Sequence, residues 1–261
     1  MILNVAAYHF TPIDDPQALA TALRERAQAD GLHGTVLVAG EGLNLFLAGA
    51  DAALNGFLDA LRADARFADL IVKFSRSAHM PFARLKVKVK PEIISFRRDD
   101  ASPLSGRAPT VTPQVLARWL DQGVDDAGKP VVMLDTRNRE EIGYGTFADA
   151  LTLPIDNFTE LPQALEPHRE GLRDATVVSF CTGGIRCEKA ALWMQAEGMS
   201  NVLQLDGGIL GYFEQVGGRH YEGRCFVFDE RVALDPDLEP LFDRPLPDRS
   251  LMERPPLDDA A

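Results

Sequence analysis

The segment 177-VVSFCTGGIRCEKAALW-193 sets a cysteine between a short apolar run and a run with helical character. Cys181 is followed by Thr182, two glycines, Ile185, Arg186 and a second cysteine, Cys187. These residue types in this order suit a nucleophilic sulfur. Gly183 and Gly184 let the backbone turn tightly and point successive N–H groups inward, where they can hold an anion. A helix beginning near Arg186 turns its positive dipole end to the same spot, and the guanidinium adds a full charge. Both effects lower the pKa of Cys181 and favour the thiolate, which is the reactive form. The chemistry assigned to this stretch is therefore a catalytic pair, Cys181 and Arg186, within an anion cradle of Thr182, Gly183, Gly184, Ile185 and Cys187. Four residues separate the pair, one fewer than in the phosphate-sized loop of cysteine-dependent phosphatases. The shorter loop favours a smaller guest, such as a persulfide sulfur or a single oxygen. Cys187 helps form the cradle, resolves an oxidised Cys181 as a disulfide, or packs as a small residue at the helix start; the sequence suits all three.

Such a loop needs a sheet behind it. In open parallel sheets, ligands bind beyond the carboxyl ends of the strands, and Cys181 stands at such an end. VVMLD (131–135), TVVSF (176–180) and NVLQLDGG (201–208) are near-continuous apolar runs separated by helical segments, the pattern of a parallel sheet covered on both faces. Thr112 with Pro113 starts the first of these helices, the hydroxyl capping free N–H groups and the proline sitting where no N–H is needed. Upstream, ILNVAAY (2–8), TVLVA (35–39), NLFLAG (44–49) and LIVKF (70–74) read as strands. Helices fill the gaps from Pro16 to Ala29 and from Asp51, read as a cap, to Leu61. The order β-α-β-β-α-β predicts a ferredoxin-like sandwich, with helices covering one face of an antiparallel sheet. The expected organisation is thus a ferredoxin-like domain with a basic strand (1–98), a linker DDASPLSGRAPT (99–110), a parallel-sheet α/β domain (111–220) and a C-terminal extension (221–261), partly disordered, with an extended acidic tail from Asp235.

Net charge is −12, which argues against a nucleic-acid partner until its distribution is examined. Residues 225–261 carry ten acidic and four basic side chains, whereas residues 84–98 carry six basic and one acidic. Arg84, Lys86, Lys88 and Lys90 alternate with Leu85, Val87 and Val89, so an extended strand turns all four cations one way. With Arg97 and Arg98 beyond them, they form a candidate track for a phosphate backbone. The competing account is an edge strand guarded by lysines against aggregation. No apolar run approaches the ~20 residues of a membrane span, which points to a cytoplasmic protein with no membrane partner. Three cysteines without a C-x-x-C pair, and five scattered histidines, predict neither a disulfide framework nor a metal site. Trp119, Trp193 and Met194 read as core, and Cys225 as buried.

CTGGIR resembles the active-site loop of the rhodanese family, and LDTRNREEIGYGTFADALTLP (134–154) resembles that family's Asp-x-Arg segment. The likeness covers residues 111–220 and implies a rhodanese-like fold there, with Cys181 as the sulfur-carrying cysteine, Arg186 as the loop arginine, and Asp135 and Arg137 as supporting residues. Gly145-Thr146 stands where many rhodaneses have Gly-His. GLHGTVLVAGEGLN (31–44), FARLKVKVKPEII (82–94), CTGGIRCEKA (181–190) and GRCFVFDERVAL (223–234) together resemble the tRNA uridine hydroxylase family, with Leu45-Phe46 replacing a small Gly-Thr pair. This second resemblance implies oxidation of the wobble uridine, U34, to 5-hydroxyuridine, with molecular oxygen as co-substrate and a tRNA anticodon loop as partner. No flavin, haem or iron motif is evident, so no cofactor is expected.

Three functions suit these residues. As an oxygenase, the protein would use the Cys181 thiolate to attack C6 of uracil and leave enolate character at C5. As a rhodanese-type sulfurtransferase, it would carry a persulfide on the same cysteine, but would not need the basic strand. A non-catalytic binding module would have no need of both Cys181 and Arg186.

Overall fold

The computed structural model describes residues 1–98 and 100–246. Its first half is built on β1 (Ile2–Phe10), α1 (Pro16–Ala29), β2 (His33–Ala39), β3 (Gly42–Gly49), α2 (Asp51–Arg62), β4 (Val72–Ser77) and β5 (Leu85–Val89). The sheet order is β4-β1-β3-β2-β5, antiparallel except that β5 joins β2 in parallel. This is the ferredoxin-like arrangement with one strand added at an edge. Helix α1 starts where Asp15 accepts the Ala18 N–H and Pro16 needs no partner. Helix α2 buries Leu54, Phe57, Leu58 and Leu61, a single stripe at helical spacing. Burial of each such side chain contributes about 1.5–3 kcal/mol, which is what holds the helices to the sheet. Asp51 does not cap α2: Ala50 holds that position, and the Asp51 carboxylate pairs with Arg76 at 2.6 Å.

The helices cover only one face. Val36, Leu45, Ala7, Val72 and Val87 share it, matched across the strands by register. The opposite face carries Tyr8 beside Asn44, and Ala6 beside Phe46 and Lys73. In the same rows Thr35 leads to Lys86, and Leu37 to Lys88. This uncovered face is where the second half docks.

The second half comprises β6 (Thr110–Val111), α3 (Pro113–Gln122), β7 (Val131–Asp135), α4 (Arg139–Ile142), β8 (Gly145–Phe147), β9 (Leu151–Thr152), α5 (Leu161–Leu165), β10 (Thr176–Phe180), α6 (Ile185–Ala196), β11 (Val202–Leu205) and α7 (Gly208–Val216). Strands β6-β11-β10-β7-β9 form an all-parallel sheet, and every residue of the central strand β10 is buried. Thr112 caps α3 through the Val115 N–H, with Pro113 as its first residue. Trp119, Trp193, Met194 and Cys225 are all buried.

The halves are joined by ion pairs that sequence spacing does not reveal. Lys189 of α6, only 2% exposed, meets Glu41 at 2.8 Å, Glu92 at 3.4 Å and the Ile94 carbonyl at 3.1 Å. A buried ammonium is tolerated only when paired this fully. Lys73 meets Glu214 at 3.0 Å. The segment expected as a linker is not a free tether either: Ala101 and Ala108 are buried, and Arg107 reaches Glu188 at 2.9 Å.

The C-terminal extension is anchored past Asp235, where the extended tail was expected to begin. Strand β12 (Tyr221–Gly223) pairs with β8, and β13 (Cys225–Phe226) forms a hairpin with β14 (Ala233–Leu234). Arg231 hydrogen-bonds Ser75 at 2.7 Å, and the Glu230 N–H reaches the Pro81 carbonyl at 3.2 Å, strapping the hairpin to the first half. Even Asp243 accepts the His79 N–H at 2.9 Å. Cys225, expected to be buried, anchors the extension together with Val227, Ala233 and Leu234, all buried. The remainder of the expected tail, 247–261, lies outside the described residues, as does Asp99 of the expected linker.

Candidate active site

Cys181 follows the last residue of β10, at the carboxyl edge of the parallel sheet. The Gly184 N–H donates to its sulfur at 3.2 Å. Gly184 adopts φ of +100°, a conformation that L side chains rarely take, and a Cβ there would lie 2.9 Å from the Tyr8 hydroxyl. Gly183 has open space around it, so the demanding glycine is the second of the pair. Two amides of α7 hold the loop from behind: Ile209 donates to the Cys181 carbonyl at 2.9 Å and Leu210 to the Thr182 carbonyl at 3.0 Å. With those carbonyls engaged outward, the loop amides are left for the sulfur. Gly208 allows this close approach, since a Cβ there would sit 2.5 Å from the Cys181 carbonyl oxygen.

Electrostatics favours the thiolate. Full burial opposes ionisation of Cys181, but the neighbouring Cys187 thiol, the Arg186 charge and the Arg186 and Gly184 amides outweigh it, bringing the pKa down to about 6. Cys187 moves the other way, driven up by burial and by the anion beside it, and it remains a thiol next to Thr136. Cys225 provides the contrast: equally buried but without a cradle of amides, it is pushed up to about 12.

Arg186 does not present an isolated charge. Its guanidinium meets Glu141 at 2.8 Å, both groups being buried. Glu141 holds its place in a capping box with Asn138 at the start of α4. Asp135 and Arg137 form a second, fully buried pair at 2.7 Å, to which Thr146 adds a hydrogen bond of 2.7 Å to Asp135. Arg137 also donates to the Gly145 carbonyl at 2.7 Å. These two residues brace the wall beside the cradle and do not touch the sulfur's amides.

The first half completes the site. Tyr8 projects from β1 over the loop and donates to Glu188 at 3.2 Å; Glu188 also accepts from Arg107 and Gln204. Burial, followed by the charges of Glu188 and Cys181, raises the Tyr8 pKa well above the usual phenol range, so its hydroxyl stays a donor. Between the open sheet face and the loop lies a cavity of about 650 Å³, lined by Tyr8, Phe46, Cys181, Thr182, Arg186 and Phe228 among others. Its size falls within the range of small-molecule sites, about 300–1,000 Å³.

Sequence reasoning missed Tyr8, Glu141, Glu188 and Phe228. Strand alternation leaves Tyr8 off the helix-covered face, and Asn138-x-x-Glu141 is a capping-box pattern, so both had a signal; Glu188 and Phe228 had only their place in the motifs that carry the family resemblance. The cation row holds in part. Arg84, Lys86, Lys88 and Lys90 are exposed, with Lys86 and Lys88 on the face that bears Tyr8. Arg97 and Arg98 do not continue it. Phe96 stacks on Phe158 at 4.5 Å and turns the chain onto the second half, where the Arg98 guanidinium sits 5.9 Å over Trp193. Among the described residues no group of His, Cys, Asp and Glu is placed to hold a metal, and no helix is long and apolar enough to cross a membrane.

Comparison with known proteins fits this architecture. The UPF0176 acylphosphatase-like domain matches residues 2–93 and the rhodanese-like domain residues 113–215. The tRNA uridine(34) hydroxylase of Xanthomonas euvesicatoria pv. vesicatoria (strain 85-10) is 71% identical over 243 residues, 93% of this chain and 98% of that protein. The protein of the same name from Xylella fastidiosa (strain M23) is 64% identical over 243 residues, covering 93% and 95%. The chain belongs to the tRNA uridine(34) hydroxylase family. Tyr8 lies within the matched first domain and Cys181 within the matched second.

Proposed function

We propose that this enzyme hydroxylates U34 in the anticodon loop of tRNA to 5-hydroxyuridine, with Cys181 as the nucleophile and molecular oxygen as co-substrate. The observation that carries the reading is a cysteine cradled by a loop amide and set across a cavity from the sheet face that also bears Lys86 and Lys88. Strand β5 stands three strand spacings from β1, about 14 Å at ~4.8 Å each. A phosphate backbone following Lys86 and Lys88 thus leaves a base within reach of the cavity beneath Tyr8. Loop bases unstack at low cost, which suits a buried thiolate that no helical base could reach.

In this reading the Cys181 sulfur bonds to C6, and the electron pair of the C5–C6 double bond becomes enolate density at C5. Loop amides and Arg186 offset the charge. One oxygen atom enters at C5, the other leaves as water with two electrons from a thiol-class reductant, and loss of the C5 proton expels the thiolate. Tyr8, whose proton is given to Glu188, offers its hydroxyl oxygen as an acceptor for the uracil N–H. The protein requires no membrane partner for any of this, and we place it in the cytoplasm with its substrate.

The test is nucleoside mass spectrometry of tRNA from a deletion strain carrying either the wild-type gene or Cys181→Ser. Wild type should restore 5-hydroxyuridine and Cys181→Ser should not. Undiminished modification with the variant would remove Cys181 from the chemistry.

A further inference from the structure

Phe228 is 56% exposed although it stands at the mouth of the catalytic cavity. Its surroundings are not those of a loose surface side chain. The loop that presents it is closed by the Val227 N–H on the Val232 carbonyl at 2.9 Å. Asp229 and Arg231, both nearly buried, pair at 2.6 Å directly after it. Arg231 and Glu230 then tie the loop to Ser75 and Pro81 of the first half. Phe226 meets the Phe228 ring edge-on at 5.1 Å, and the Arg186 guanidinium lies 5.9 Å from its centroid. A rigid, anchored loop therefore holds an aromatic face in solvent beside the group that stabilises the thiolate. Leaving such a ring exposed forgoes part of the stabilisation that its burial would give. Beyond Phe226 and Arg186, the exposed part of the ring has no aromatic or cationic partner among the described residues.

We infer that Phe228 is the stacking platform for the everted pyrimidine base, a positioning residue that holds uracil over Cys181. The inference rests on the tRNA reading above and adds the contact that captures the base. A flat aromatic ring suits any base face, so the platform supplies capture, while selection of uracil falls to polar groups deeper in the cavity. Phe46 and Tyr8 line the same cavity from the sheet face, which gives the base apolar surroundings on its other side.

A binding cycle tests this with the full-length protein and two anticodon stem-loop RNAs, one with uridine at position 34 and one abasic there. Stacking of a base on an aromatic ring corresponds to about a 5- to 150-fold change in affinity. Phe228→Ala should weaken binding of the uridine RNA within that range and leave the abasic RNA unaffected, while Phe228→Trp keeps wild-type affinity for both. Equal loss for both RNAs would show that Phe228 merely supports the loop and overturn the assignment, as would no loss for either. Wild-type protein that binds neither RNA would instead overturn the tRNA reading, and the platform with it.

Discussion

The amide of Gly184 donates to the sulfur of Cys181 across 3.2 Å, from a backbone conformation that only glycine adopts freely. Opposite that glycine stands the Tyr8 hydroxyl, contributed by the other half of the chain. The loop is thus shaped by two domains at once, and the two glycines preceding Arg186 have unequal duties.

That inequality is measurable. Gly184→Ala strains the loop and crowds Tyr8, so it should raise the Cys181 pKa by a unit or more, about 1.4 kcal/mol of lost thiolate stabilisation, and cut hydroxylation at least tenfold. Gly183→Ala meets open space and should leave thiol titration within experimental error of wild type. The titration can be followed by thiolate absorbance in protein with Cys225 replaced by alanine, Cys187 being kept because it supports the Cys181 thiolate and itself stays protonated.

The buried Arg186–Glu141 pair sets the field at the sulfur. Arg186→Gln removes a cation that favours the thiolate, so the Cys181 pKa should rise toward the ordinary thiol value. Glu141→Gln leaves the guanidinium without its counter-charge and should move the Cys181 pKa further down. The same change should cost about 3–5 kcal/mol of stability, because a buried charge is left unpaired. Opposite pKa shifts from the two variants, read by the same absorbance titration, are the expected signature.

Asp135 and Arg137 act as a brace. Asp135→Asn should lower the urea midpoint, with a loss of about 3–5 kcal/mol, since Arg137 is fully buried and would keep its charge. The fraction that remains folded should retain the Cys181 titration. A lost titration in stable protein would instead assign Asp135 a direct part in the chemistry.

The cation row makes a salt prediction. Single-stranded phosphate contacts contribute about −0.7 each to the slope of log affinity against log salt. Lys86→Gln with Lys88→Gln should therefore reduce that slope by about 1.4 for a tRNA anticodon arm. Arg98→Gln, which removes the guanidinium stacked on Trp193, should leave the slope unchanged.

Much of the fold was legible because its determinants are local. The period-two alternation of β1 and β3, the Asp15-Pro16 and Thr112-Pro113 helix starts, and the apolar β10 all speak through neighbouring residues. The cysteine loop was legible for the same reason: glycine, arginine and helix start lie within six residues of the sulfur. What stayed hidden is tertiary. Tyr8 and Glu188 are 180 positions apart, and no local pattern pairs them. The segment 235–246 misled because proline and acid content report on helix and strand propensity, whereas its anchoring depends on single contacts such as Asp243 with the His79 N–H and the Leu241 N–H with the Ala233 carbonyl. Arg98 followed the charge run in sequence but not in space, because Phe96 is drawn into the core of the second half.

The most direct test of the account is the pH dependence of alkylation at Cys181 in the wild-type protein, with iodoacetamide and site assignment by peptide mass spectrometry. Since only the thiolate reacts, the rate should rise through a midpoint near pH 6 and level off by neutrality, with Cys187 and Cys225 unmodified over the same range. A midpoint near 8.5, the value of a free thiol, or modification spread equally over the three cysteines, would contradict it.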